Sequence, residues 1–171
     1  MFTIHEKLEK SNHSQPRVTA LLSCQENLMP LSWHMPISKE PFRYAVAVRE
    51  ENYSHKLIEE HGSFTLNFLP YAFMASIDLC ARVHGDANDK LSLSELSVFD
   101  KSLQGDLLLS DSDFIYECRV CDTYKNGDHT IFISDVKRIL VNEKQSKQSL
   151  LFLGRGRYTT TSEVVQIPKE D

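Results

Sequence analysis

The chain has 171 residues, 41% of them hydrophobic and 25% charged, which suits one domain with a sizeable core and falls short of two. Nineteen basic and 24 acidic residues give a net charge of −5, and the basic ones are scattered, which argues against nucleic acid or an anionic membrane as the main partner. No apolar run approaches the ~20 residues of a membrane-crossing helix. Met1 to Lys10 mixes charged and apolar residues instead of forming a signal-peptide core, so a soluble cytoplasmic protein is expected.

Arg17 to Gln25, rich in Val, Thr and Leu and bounded by Pro16 and Glu26-Asn27, predicts a strand, and Leu28 to Trp33 predicts a second. Tyr44 to Val48 is apolar on both faces and is expected in the middle of a sheet. A helix follows, with Ser54 placed to cap it, Leu57 and Ile58 facing inward, and Gly62 where it stops. Ser63 to Phe68 predicts a strand. Tyr71 to Val83 is helical in spacing, with Phe73, Ile77 and Cys80 on one stripe. Ser92-Leu93-Ser94-Glu95 has the form of a capping box and predicts a short helix. Strands are expected over Phe114 to Asp122, Thr130 to Leu140 and Leu150 to Tyr158, the first two joined by a hairpin turn at Asn126-Gly127. Strands at both ends and helices in the middle suit an antiparallel β-barrel carrying a few helices, not a doubly wound parallel sheet.

Common catalytic signatures are missing: there is no GxGxxG, GxxxxGK[ST], HExxH or GxSxG. Cys118 and Cys121 have CxxC spacing, but on a strand positions three apart face opposite sides, so a shared metal is not expected. Cys24, Cys80, Cys118 and Cys121 are too few and too irregular for a disulfide framework, and a reducing compartment fits. Cys80 and His84 have helical spacing without a second pair and are read as an ordinary helix face. His5, His13 and His61 are read as solvated; His34, His55 and His129 lie at strand ends, where sites are commonly built.

Three ordered segments resemble the flavin reductase-like family. The first is Pro16-Arg17-Val18-Thr19-Ala20-Leu21-Leu22 with Leu31-Ser32-Trp33-His34-Met35-Pro36-Ile37-Ser38. The second is Ala45-Val46-Ala47-Val48-Arg49 with Tyr53-Ser54-His55-Lys56-Leu57-Ile58 and Gly62-Ser63-Phe64-Thr65-Leu66-Asn67. The third is Tyr116-Glu117-Cys118-Arg119-Val120 with Gly127-Asp128-His129-Thr130-Ile131-Phe132-Ile133 and Leu153-Gly154; Asp89-Lys90-Leu91 lies between the last two. The chain departs from the family pattern at Glu40-Pro41-Phe42-Arg43 and at Ser134-Asp135-Val136, where a glycine is more usual.

The resemblance implies a mainly β fold, an FMN-binding split β-barrel of antiparallel Greek-key type. It would occupy residues 16–158 between an N-terminal extension (1–15) and a C-terminal tail (159–171), and would pair as a homodimer with its flavin site near the subunit contact. The implied function is reduction of flavin by NADH or NADPH. An FMN electron carrier without its own nicotinamide oxidation is the alternative, and a split-barrel scaffold without flavin is a third reading. A flavin needs a flat apolar slot, polar groups for the ring edge and donors for the phosphate. Ser32, Trp33, His34 and Met35 are the candidates for framing the ring, Trp33 being equally a core or interface aromatic. Arg49, Ser54 and His55 are the candidate phosphate site, against the plainer view of a surface charge and an N-cap. Ser38, Asn67 and Lys90 are carried over as cofactor-binding, each also able to satisfy a turn or an edge. His129 is the catalytic candidate, holding the nicotinamide or the ring's polar edge, with a turn-shaping role as the alternative. Gly154-Arg155-Gly156-Arg157 is read as a solvated tail or a contact for the nicotinamide cofactor's phosphates.

Overall fold

The computed structural model describes residues 16–146 and 148–162. The expected extension at 1–15, with His5 and His13, and residues 163–171 of the expected tail lie outside the described residues. In chain order, β1 (Arg17–Val18) and β2 (Ala20–Cys24) divide the first expected strand at Thr19, and β3 (Asn27–Leu31) is followed after only Ser32 and Trp33 by β4 (His34–Lys39). β5 (Phe42–Arg49) contains the apolar run. It lies next to the sheet edge formed by β4, not in the middle. α1 (Tyr53–His61) has Asn52, not Ser54, at its N-cap position, without a side-chain capping bond, and Ser54 sits in the first turn with its side chain buried; Gly62 ends the helix with φ +65° and an N–H bond to the Ile58 carbonyl. β6 (Ser63–Phe68) follows, then a 3₁₀ turn (Tyr71–Phe73) leading into α2 (Met74–Arg82), which buries Ile77 and Cys80. α3 (Lys90–Ser94) is capped by Asp89, whose carboxylate accepts from the Ser92 N–H, so the expected start at Ser92 moves to Asp89 and Glu95 ends the helix at φ +57°.

Beyond it lies a hairpin that sequence patterning does not predict, β7 (Val98–Lys101) and β8 (Leu107–Leu109). β9 (Phe114–Asn126) and β10 (His129–Val141) are joined by Gly127-Asp128, with Gly127 at φ +63° where a side chain would be strained. Cys118 is buried and Cys121 exposed on opposite faces of β9, and among the described residues no cluster of His, Cys, Asp and Glu could hold a metal. The last expected strand folds back at Arg155-Gly156 into β11 (Leu150–Gly154) and β12 (Arg157–Thr160), so strand structure continues past residue 158.

Seven strands form one antiparallel sheet in the order β3-β2-β6-β9-β10-β5-β4. Laid flat at the usual strand spacing, β3 and β4 would stand about 29 Å apart. Leu31 to His34 reaches at most about 11 Å. The sheet must therefore curl until its two edges meet at Ser32 and Trp33, and a barrel results. β1 pairs with β11 in a separate three-stranded sheet, β1-β11-β12, so the chain leaves one sheet and enters the other at Thr19.

The core is double. Ala20, Leu22 and Cys24 of β2 face the barrel interior with Val46, Val48, Phe64, Leu66 and Phe132, and α1 adds Leu57 and Ile58. Leu21 faces the other way, into a second cluster with Ile77 and Cys80 of α2, Leu107 and Leu109 of β8, and Leu150. Burial on both sides explains why the apolar Ala20-Leu21-Leu22 lacks polar alternation. Asn67, fully buried, ties the layers together: its Nδ2 donates to the Leu21 carbonyl (3.2 Å) and Thr65 Oγ1 (3.0 Å), and its Oδ1 accepts from the Leu109 N–H (3.0 Å). Lys90 Nζ donates to the carbonyls of Leu28 and Cys80 at 2.8 and 3.0 Å, joining β3 to α2, and burial pushes its pKa down. Asp106, 1% exposed, accepts from the Gln25 N–H and the hydroxyls of Ser63 and Ser102, which pins the β7–β8 hairpin to the sheet. Replacing Asn67 with Ala strands buried backbone groups and is expected to cost about 2–3 kcal/mol, read in thermal melts as a drop of roughly 5–10 °C.

Candidate functional site

Where the sheet closes, a cleft of about 830 Å³ opens beside Ser32 and Trp33. Its volume lies within the ~300–1,000 Å³ range of small-molecule sites. One side is built by Arg17, Val18 and Thr19 at the switch between sheets, with Ser149 and Leu150. The other is built by Ser32 to Pro36 and by Tyr44 to Ala47 on β5; Phe68, Phe114 and Tyr116 come from the ends of β6 and β9. Ala45 and Ala47 are small, so β5 presents backbone with little side chain in the way. The rim is apolar, with Val18, Trp33 and Met35 exposed.

Hydrogen bonding fixes the state of His34. Its Nε2 lies 3.0 Å from the Val18 carbonyl, which can only accept, so Nε2 carries the proton and Nδ1 accepts from the Tyr44 hydroxyl at 2.8 Å. Both nitrogens of the neutral ring are engaged, and burial lowers the His34 pKa below its usual value, opposed by the bond to Val18. Tyr44 is pushed up by burial. Thr19, nine-tenths buried, lines the cleft with an Oγ1 that has no partner among the described residues.

A smaller recess of about 170 Å³ lies on the other side of Trp33, and the two share Ser32, Trp33 and Ala47. His129 and Arg49 stand directly opposite one another on β10 and β5, and both line it with Asn52 at the start of α1. The His129 ring stacks on Trp33 with centroids 4.7 Å apart and planes 24° apart. Its Nδ1 is 2.6 Å from an oxygen of Asp128; a carboxylate only accepts, so Nδ1 donates, and this bond is the main reason the Asp128 pKa is lowered. Arg49 is flanked by the exposed carboxylates of Glu51 (3.4 Å) and Asp128 (3.6 Å).

Of the residues expected from sequence, Ser32, Trp33, His34 and Met35 line the cleft, and Arg49 and His129 come together at the recess. The others are placed elsewhere. The Ser54 hydroxyl accepts from Asn27 Nδ2 at 2.7 Å, and His55 Nε2 is 2.8 Å from Thr130 Oγ1, both buried below the recess. Asn67 and Lys90 are the internal ties described above, and Ser38 lies on β4 away from both openings. Thr19, Tyr44, Phe68 and Tyr116 belong to the cleft without having been singled out. Tyr44 and Tyr116 occupy core-facing positions of their strands, and the sequence pattern does not reveal that the core opens there. Asn52 and Asp128 flank expected residues in sequence, and an Asx residue just before a helix was the available signal for Asn52.

The lowered pKa of His34 sets a sign for stability against pH. The unfolded ring takes up its proton near pH ~6.5 and the folded ring only at lower pH, so the native state is favoured above ~6.5 and loses stability as pH falls through the folded value. Between pH 7.5 and 5 the wild-type melting temperature is expected to fall further than that of His34→Gln, which keeps a donor and an acceptor without the charge; parallel falls would show that His34 does not contribute.

Comparisons with known proteins follow the architecture. The FMN-binding protein from Thermus thermophilus, solved with bound p-hydroxybenzaldehyde, superposes with a TM-score of 0.86 at 21% identity, covering 98% of this chain and 99% of that one. Flavoredoxin from Methanosarcina acetivorans gives 0.84 at 22% identity over 98% and 94%, and the NADH:FAD oxidoreductase of Streptomyces globisporus gives 0.84 at 18% over 95% and 99%. At these identities the likeness shows the shared fold. Uncharacterized proteins of Archaeoglobus fulgidus and Aeropyrum pernix are 24% and 25% identical over 66% and 75% of this chain; the chain spans 64% and 52% of their lengths. The profile of the flavin reductase like domain matches residues 14–162, which take in the seven-stranded sheet, the β1-β11-β12 sheet and the β7–β8 hairpin, and the chain therefore belongs to that family.

Proposed function

We propose that the protein binds FMN across the cleft and recess and reduces it with electrons from NADH or NADPH. The observation that carries this reading is the cleft itself: a slot walled by rings and by the small Ala45 and Ala47, with hydroxyls and a neutral imidazole beside the rings and Arg17 and Asp113 also in its lining, in a chain of this family. These residues fit a flat, uncharged ring with one polar edge. The neighbouring recess fits an anion, because Arg49 and the start of α1 meet there. A bound flavin supplies two-electron redox chemistry that side chains lack.

The chain's own part is holding and orienting. Ser32, Trp33, His34 and Met35 frame the ring, and Thr19 offers a hydroxyl beside them. Arg49 and Asn52 receive the phosphate in place of the Glu51 and Asp128 carboxylates, a favourable exchange because exposed ion pairs contribute little. Ser54, His55, Asn67 and Lys90 hold these elements in place. His129, oriented by Asp128 and stacked on Trp33, leaves Nε2 as the acceptor for an amide donor such as that of a nicotinamide. Met35 and Ile37, exposed on the edge strand β4 next to Trp33, form the surface on which two copies pair.

Purified protein is expected to carry a flavin absorption spectrum that NADH or NADPH bleaches without oxygen. Retained FMN with no bleaching by either nucleotide would favour the electron-carrier alternative, for which the flavoredoxin-like fold speaks. Arg49→Met should weaken FMN by roughly tenfold while leaving riboflavin unchanged; Arg49 is the site to change because Ser54→Ala would also strand the buried Asn27 amide. His129→Asn should retain FMN and slow reduction in stopped-flow, whereas reduction at the wild-type rate with a lower melting temperature would leave His129 a turn residue. Light scattering should report a dimer, and a fully FMN-loaded monomer would contradict pairing across β4.

A further inference from the structure

Four rings meet along the inner wall of the cleft. Tyr116 packs edge-on against Phe68 (centroids 5.1 Å) and Tyr44 (5.5 Å), and His34 contacts Tyr44 (5.6 Å) and Phe68 (5.7 Å). Their polar atoms are not equally occupied. Both His34 nitrogens and the Tyr44 hydroxyl are engaged with one another and with Val18, whereas the half-buried Tyr116 hydroxyl has no hydrogen-bond partner among the described residues. Burial raises the Tyr116 pKa, which keeps the phenol protonated and hence a donor. One free donor set in an aromatic wall suits a ligand that is flat, apolar on its faces, and carries an oxygen at its edge.

We infer that Tyr116 makes the inner wall of the cleft a subsite for the edge carbonyl of a flat conjugated molecule, to which its hydroxyl donates a hydrogen bond. Two sources share that chemistry: the carbonyls of the flavin ring, and a small aromatic or conjugated carbonyl compound lying beside it. Both rest on the FMN reading, although the second guest can also be tested without flavin. The binding role is specific to the hydroxyl. The ring of Tyr116 belongs to the packing of the barrel and stays in place when the oxygen is removed.

Tyr116→Phe keeps the ring and deletes a hydroxyl that supports no protein group, so the melting temperature of the flavin-free protein should be unchanged. FMN is titrated into flavin-free wild type and variant by flavin fluorescence; p-hydroxybenzaldehyde and p-cresol, which lacks the carbonyl, are titrated into flavin-free and FMN-loaded protein by absorption difference. The substitution should weaken a carbonyl ligand about 3- to 10-fold, the range for one neutral hydrogen bond, and leave p-cresol unaffected. Loss confined to FMN assigns the subsite to the flavin; loss confined to the aldehyde assigns it to the second guest. Equal affinities of wild type and variant for both carbonyl ligands overturn the inference while leaving FMN binding intact. Wild type that takes no FMN yet loses aldehyde affinity on the substitution keeps the inference and removes the reading of the previous section; wild type that binds neither removes both.

Discussion

A two-residue connection governs this molecule. Ser32 and Trp33 join strands at opposite edges of a seven-stranded sheet, and covalent geometry leaves the sheet no alternative to closing on itself. Closure brings the ends of β4 and β5 beside the point where the chain switches sheets at Thr19, and the gap between them is the cleft. The small sheet β1-β11-β12 forms the far bank of that gap without being needed to close the barrel. Structure and opening thus share one cause, and a change in the length of the Ser32–Trp33 connection acts on both at once.

The wall of the cleft beside Trp33 is aromatic. It carries hydroxyls and a histidine held neutral by two partners, with Arg17 and Asp113 as the charged residues that also line the cleft, while Arg49, Asp128 and Glu51 cluster around the recess beyond Trp33. That division suits a ligand with a neutral body and an anionic end, and Trp33 marks the boundary between its halves. Where charge is buried in the remainder of the fold, it is partnered: Asp106 by a backbone N–H and two hydroxyls, Lys90 by two carbonyls, Glu117 by Arg138. Such groups hold segments distant in sequence and leave little bonding capacity for ligands.

The parts of the fold legible in sequence are those set by local chemistry. Gly62 and Gly127 adopt the left-handed backbone their positions suggest, and Ile77 and Cys80 bury the stripe that helical spacing assigns to them. The β7–β8 hairpin was not legible because it depends on Asp106 bonding to Gln25 and Ser63, 81 and 43 residues away, and its pairing is irregular at Val98 and Asp100. The site divides in the same way. Ser32 to Met35 could be read from a strand end, whereas Ser54 and His55 look like an open helix start until Asn27 and Thr130 arrive from other strands to bury them. Tyr44 and Tyr116 lie on strands whose apolar residues make them core candidates; only the curvature of the sheet decides that the inside is reachable there.

Trp33 is the single tryptophan of the chain, 45% exposed, and it stands on the wall common to both openings with its ring stacked on His129. Indole emission from this protein therefore has one origin, undiluted by core tryptophans. A guest entering either side changes the polarity or quenching around that chromophore, because both openings share its wall. Nature has left a built-in optical probe at the boundary where the neutral and anionic halves of a ligand would meet.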